Sequence, residues 1–113
     1  MSTLWQVYGL KFTDLEAAAS YLTVLTQTQW TPRTNEHSGD YYSYRVSLEI
    51  HMSMQYNAMP DEEGEDPGWW EPDFQNFPLL LYVSVELPMT VNSTSIMNVV
   101  RSNLILLKES ANG

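Results

Sequence analysis

The chain contains no cysteine, which removes disulfide bridges, thiolate nucleophiles and every cysteine-ligated zinc or iron–sulfur centre from consideration. Basic residues are scarce: five Lys and Arg stand against 14 Asp and Glu, a formal charge of −9 over 113 residues. A field of that sign repels phosphate backbones and anionic headgroups, so the expected partner is a cationic protein and not nucleic acid or a membrane surface. Long apolar runs are missing too. The longest, Leu79 to Val83, falls far short of the roughly 20 residues of a membrane-spanning helix. The first 25 residues hold Asp14 and Glu16 and lack a basic start followed by an apolar stretch, so no secretory leader is expected and the chain reads as soluble and cytoplasmic. Asn92-Ser93-Thr94 fits the glycosylation sequon, but without a leader it reads as a helix start.

Sites of catalysis are equally thin. No glycine-rich phosphate loop, nucleophile elbow or His-Glu-x-x-His pattern occurs. His37 and His51 are too far apart for a metal-ligand spacing, and Asp61-Glu62-Glu63-Gly64-Glu65-Asp66 lacks the alternating oxygen ligands and late bidentate Glu of a calcium loop. We therefore expect no catalytic residue, no cofactor and no specific metal. Arg45, Ser47, Glu49 and His51 fall in line on the polar side of one predicted strand, where a base could stand beside a cation; a solvated sheet face with cross-strand pairs is the expected reading.

What is present is material for one core. Hydrophobic residues make up 43 %, with four Trp, seven Tyr and three Phe, enough for a single domain spanning 1–113 that buries roughly 65 % of its unfolded surface. Leu4, Tyr8, Leu10 and Phe12 share one side of a first strand, with Gln6 as the polar exception. Thr13-Asp14-Leu15-Glu16 then has capping-box form, and Leu15, Ala18, Ala19, Leu22 and Leu25 continue as a helical stripe. Pro32 to Gly39 reads as a polar loop. From Tyr42 to Tyr56 every even position is apolar or aromatic and every odd one polar, which predicts one strand of fifteen residues with a buried and a wet face. At about 3.3 Å per residue that strand would be unusually long, so a bend or a bulge is expected in it.

A second strand runs from Phe77 to Leu87, antiparallel to the first long one, and stops at Pro88. Ile96, Val99, Val100, Leu104 and Leu107 form a second helical stripe, although Leu104 to Leu107 could instead make a short strand. The fold class this predicts is α+β: an antiparallel sheet of three to four strands, two helices packed on one face, and a long central hairpin whose connecting loop is acidic.

That loop, 57–75, holds Asp61, Glu62, Glu63, Glu65, Asp66, Glu71 and Asp73 and no basic residue, so nearly the whole net charge sits in it. Loops of such length are usually functional or disordered. Trp69, Trp70 and Phe74 follow the acids and either seal one end of the core or anchor a partner, Trp being favoured in binding hot spots. Prolines at 60, 67 and 72 reduce the entropy lost on docking. The expected function is that of a non-enzymatic, acidic inhibitor or immunity-type protein, which covers the basic, nucleic-acid-binding surface of a nuclease toxin, restriction enzyme or CRISPR effector. Asp61, Glu62, Glu63, Glu65, Asp66, Glu71 and Asp73 would steer and pair with the partner while Trp69, Trp70 and Phe74 anchor it. The alternative is a structural or chaperone-like homo-oligomer, at its simplest a homodimer, using the Tyr and Met face of the long strand, Tyr42, Tyr44, Met52 and Met54.

Overall fold

A computed structural model describes residues 2–35, 39–45, 49–58 and 68–112. They form an α+β fold in the order β1 (Ser2–Leu10), α1 (Leu15–Thr26), β2 (Thr31–Asn35), β3 (Gly39–Arg45), β4 (Ile50–Tyr56), β5 (Leu79–Leu87), α2 (Val91–Asn103) and β6 (Ile105–Asn112). The strands make one antiparallel sheet ordered β2-β3-β4-β5-β1-β6. The sheet thus has six strands and not three or four.

The additional strands come from three places. The fifteen-residue alternation is a hairpin: β3 and β4 pair with each other, Tyr42 opposite Met54 and Tyr44 opposite Met52. Even residues pair with even and odd with odd, so the same parity faces the same side on both strands and the period of two reads alike in each. β2 lies where a polar loop was expected. It is an edge strand whose Thr31, Pro32, Arg33 and Thr34 are all exposed, so it has no buried face to imprint an alternation, and Pro32 is tolerated because an edge leaves one row of amides unpaired. β6 is the optional last strand, extended to Asn112.

The even face of β1, β3 and β4 and the odd face of β5 form the core floor. Tyr8, Ile50, Met52, Met54, Leu79, Leu81 and Val85 are at most 1 % exposed there. Leu15, Ala18, Ala19 and Leu22 of α1 and Ile96, Met97 and Val100 of α2 close over them in one cluster. Both helices lie on this face, and each begins at a side-chain cap. Asp14, not Thr13, caps α1, its carboxylate accepting the Ala17 N–H at 3.1 Å. Thr90 caps α2 in a reciprocal box with Ser93, upstream of the Asn92-Ser93-Thr94 start read from the sequence. Gln27 ends α1 in the left-handed conformation, φ 54°.

Gln6, the polar exception on β1, is buried for a reason. Its Oε1 accepts the Tyr8 hydroxyl at 2.6 Å and its Nε2 donates to Glu109, which also pairs with Arg101 at 3.6 Å. The chain of polar contacts ties β1 to β6 and α2, and satisfies groups that would otherwise be costly inside the sheet.

Candidate functional site

The candidate site is the excursion between β4 and β5, and Asn57 organises its described part. Fully buried at the end of β4, Asn57 donates from Nδ2 to the carbonyls of Glu71 (3.3 Å), Phe74 (3.0 Å) and Phe77 (3.3 Å). Its Oδ1 accepts the Glu71 N–H at 2.8 Å. Its own backbone donates to the Pro78 carbonyl and accepts from the Trp70 N–H, both at 2.9 Å. Ala58 and Trp69 add one antiparallel bridge. A single side chain, with the Phe74 N–H to Glu71 and Phe77 N–H to Phe74 carbonyl bonds, therefore satisfies a turn of irregular backbone, 71–77, that has no ladder of its own.

The part of the excursion from Glu71 to Phe77 folds back over the sheet face opposite the helices. Phe77 lies on Gly9, where a Cβ would stand 2.5 Å from its ring; only glycine leaves room for that ring. Lys11 Nζ sits 4.9 Å from the centre of the same ring, a cation over an aromatic face. Leu80, on this second face of β5, is fully buried as a result. Pro72 opens the short 3-10 turn 72–74, at a position where its missing N–H is not needed.

Glu71, read from the sequence as a surface carboxylate, is 9 % exposed. Its Oε2 pairs with Lys108 Nζ at 2.5 Å and its Oε1 faces the Tyr82 hydroxyl at 3.5 Å. Burial, then the Glu71 charge and hydrogen bond, pushes the Tyr82 pKa up to about 12. The hydrogen bond and charge of Glu71 raise Lys108 as well. A negative group inside a half-covered sheet face holds both protons in place.

The other residues singled out from the sequence fall into two groups. Asp61, Glu62, Glu63, Glu65 and Asp66 lie outside the described residues. Of the remainder, Asp73 is exposed, while Trp69, Trp70 and Phe74 are half-buried. The Trp70 indole N–H is buried with no hydrogen-bond partner among the described residues. The polar row is not a row: Arg45 and His51 are cross-strand neighbours in the β3–β4 hairpin, Glu49 accepts the Thr90 hydroxyl at 3.2 Å, and Ser47 lies outside the described residues.

Three surfaces were not singled out. Trp5, 49 % exposed, borders a groove of about 260 Å³ with Val7, His51, Ser53, Tyr82 and Ser84 on the uncovered half of the second face. A cleft of about 440 Å³ between the start of α1 and the β2–β3 pair is lined by Asp14, Glu16, Arg33, Asp40, Tyr41 and Tyr56 among others. Ile105 and Leu106 are exposed on β6; the apolar run 104–107 was their one signal in the sequence. Among the described residues no group of three or more His, Asp or Glu is placed to hold a metal ion, and no helix is long and apolar enough to cross a membrane. A scan against protein-family models and searches of curated proteins and of solved structures found no match to the chain.

Proposed function

We propose that the protein is a non-enzymatic acidic binding protein of inhibitor or immunity type, directed at the basic, nucleic-acid-binding surface of a partner such as a nuclease toxin, restriction enzyme or CRISPR effector. The observation that carries this reading is the clamp at the root of the acidic segment. Ala58 is bridged to Trp69, and Asn57 bonds both arms, so the interval 59–68, which contains five carboxylates, is joined at both ends to a rigid sheet. Fixing the ends of a recognition segment lowers the entropy lost when a partner orders the rest. Glu71 is the exception among the acids: paired with Lys108, it fastens the excursion. The steering charge rests with Asp61, Glu62, Glu63, Glu65, Asp66 and Asp73, supplemented by Asp14, Glu16 and Asp40 at the second cleft.

The homo-oligomer reading draws less support. Met52 and Met54 are fully buried, Tyr44 is 5 % exposed and Tyr42 is half-buried within one protomer, so most of the face on which that reading rested is already covered.

The test compares wild type with a variant carrying Asp61→Asn, Glu62→Gln, Glu63→Gln, Glu65→Gln and Asp66→Asn, its fold checked by circular dichroism. Wild type is expected to capture a basic nucleic-acid-processing protein and block its nucleic-acid binding, the variant to do neither. Equal capture by both, or a captured protein that still binds nucleic acid, would end the proposal.

A further inference from the structure

The two edges of the sheet are built differently. β2 is five residues long, carries Pro32 and Arg33, and is exposed from Thr31 to Thr34; short, charged, proline-bearing edges discourage further pairing. β6 at the opposite edge runs eight residues without proline. One side of its backbone pairs with β1, and the other has no strand beside it among the described residues. Its first two residues are apolar and open, Ile105 at 52 % and Leu106 at 41 % exposure. Next to them a largely apolar cavity of about 390 Å³ is lined by Leu10, Lys11, Phe12, Tyr21, Leu104 and Ile105. Such an edge is a template for another extended chain, with main-chain hydrogen bonds giving affinity and an adjoining pocket giving selectivity.

We infer that β6 is the docking edge for an extended, basic segment of a partner protein, added as a further antiparallel strand with an apolar side chain seated in the Phe12–Leu104 cavity. The inference rests on the basic-partner reading above and names the edge that partner occupies. Charge selects the occupant. Lys108 and Arg101 at this edge are paired with Glu71 and Glu109, and Lys11 beside the cavity lies over the Phe77 ring, so the charge that distinguishes partners is the long-range field of a molecule with net charge −9, which draws a basic segment. Glu71 also joins β6 directly to the excursion, so a strand on β6 would run beside the acidic segment's anchor.

A second copy of this chain fits poorly. It brings the same negative charge, and antiparallel self-pairing about an axis at Glu109 or at Lys108 sets like charges directly opposite each other. An axis at Leu107 falls where the β1–β6 register shifts. One at Ser110 reaches back only to Lys108, leaving Ile105 and Leu106 uncovered, and one at Leu106 pairs only the three residues Ile105 to Leu107, too short a ladder to hold two chains.

The probe is a short synthetic peptide alternating lysine and valine, compared with the same sequence N-methylated at every residue, which keeps the charge and loses the amide donors. The unmethylated peptide is expected to bind wild type and slow hydrogen exchange at β6 amides while leaving β2 unchanged, and methylation to weaken binding roughly tenfold or more. Equal binding of both peptides, protection at β2, no binding, or a dimer that protects β6 without peptide would overturn the inference. Repeating the titration with the five-amide variant separates the two readings. Methylation-insensitive binding that vanishes in the variant sinks the edge and keeps the acidic surface. Methylation-sensitive binding that the variant leaves intact keeps the edge and removes the loop acids from recognition.

Discussion

Asn57 carries more of the excursion than any other side chain, because its amide is the partner of the Glu71 N–H and the Phe77 carbonyl and a second donor to the Glu71 and Phe74 carbonyls, which also accept the Phe74 and Phe77 N–H groups. Asn57→Ala leaves the Glu71 N–H and the Phe77 carbonyl unsatisfied, at about 1–3 kcal/mol for each group that water cannot reach. We expect a loss of about 3 kcal/mol, read from urea denaturation followed by tryptophan fluorescence; a loss below about 1 kcal/mol would mean that water replaces the amide. Tyr82 supplies a pH signature. Its folded pKa is about 12 against an ordinary 10.0, so above that ordinary value the unfolded chain binds fewer protons than the folded one and stability falls as pH rises. The contribution is complete below 10.0 and is lost as pH climbs through about 12. Lys108, also raised by Glu71, acts in the same direction, because a raised ammonium pKa stabilises the fold only until the proton leaves. The denaturation midpoint is expected to hold up to pH ~10 and decline above it, less steeply in Tyr82→Phe. Identical slopes in the two proteins would remove Tyr82 from the account. Neither Asn57 nor the Glu71 pairing was legible in the sequence, since an Asn at a strand end and one Glu among seven acids look like any loop residues until the partners are in place.

At the scale of elements, local chemistry was a good guide wherever an element has one buried and one wet face. The α1 stripe, the β5 alternation and the antiparallel β4–β5 pairing all follow from apolar spacing. Reading failed where period or exposure hides a boundary. Pairs such as Tyr44 and Met52 keep parity across the β3–β4 turn, so alternation cannot tell a hairpin from a rod. β2 is exposed on both faces and leaves no pattern at all. The sheet order places β5 and β1 inside, flanked on both sides, and β2 and β6 at the edges. Amide exchange measured by NMR is expected to be slowest in β5 and β1 and fastest in β2, because edge strands open without disturbing the core. Equal rates in β2 and β5 would show instead that the sheet opens as one unit.

For the whole molecule, a net charge of −9 repels itself in the compact state. Raising salt shortens the Debye length from about 30 Å at 0.01 M to about 8 Å at 0.15 M, so the thermal midpoint is expected to rise over that range. The five-amide variant is expected to respond less. A midpoint that ignores salt in wild type would indicate that the carboxylates lie too far apart to repel. The same screening is expected to slow association with a basic partner, since steering acts through the long-range field.

The sequence by itself determined the α1 stripe, the alternating faces, the lack of thiol chemistry and the concentration of acid between β4 and β5, because each depends only on residue type and short-range spacing; the second stripe held only at Ile96, Val99 and Val100, since α2 ends at Asn103 and Leu107 belongs to β6. Only the tertiary structure decided that Gln6, Asn57 and Glu71 are buried and paired, that Met52 and Met54 are covered within one protomer, and that β6 forms an edge. Those properties depend on which distant residues meet: a polar side chain is satisfied or stranded, and a strand is central or peripheral, only after chain segments as far apart as Gln6 and Glu109 have come into contact.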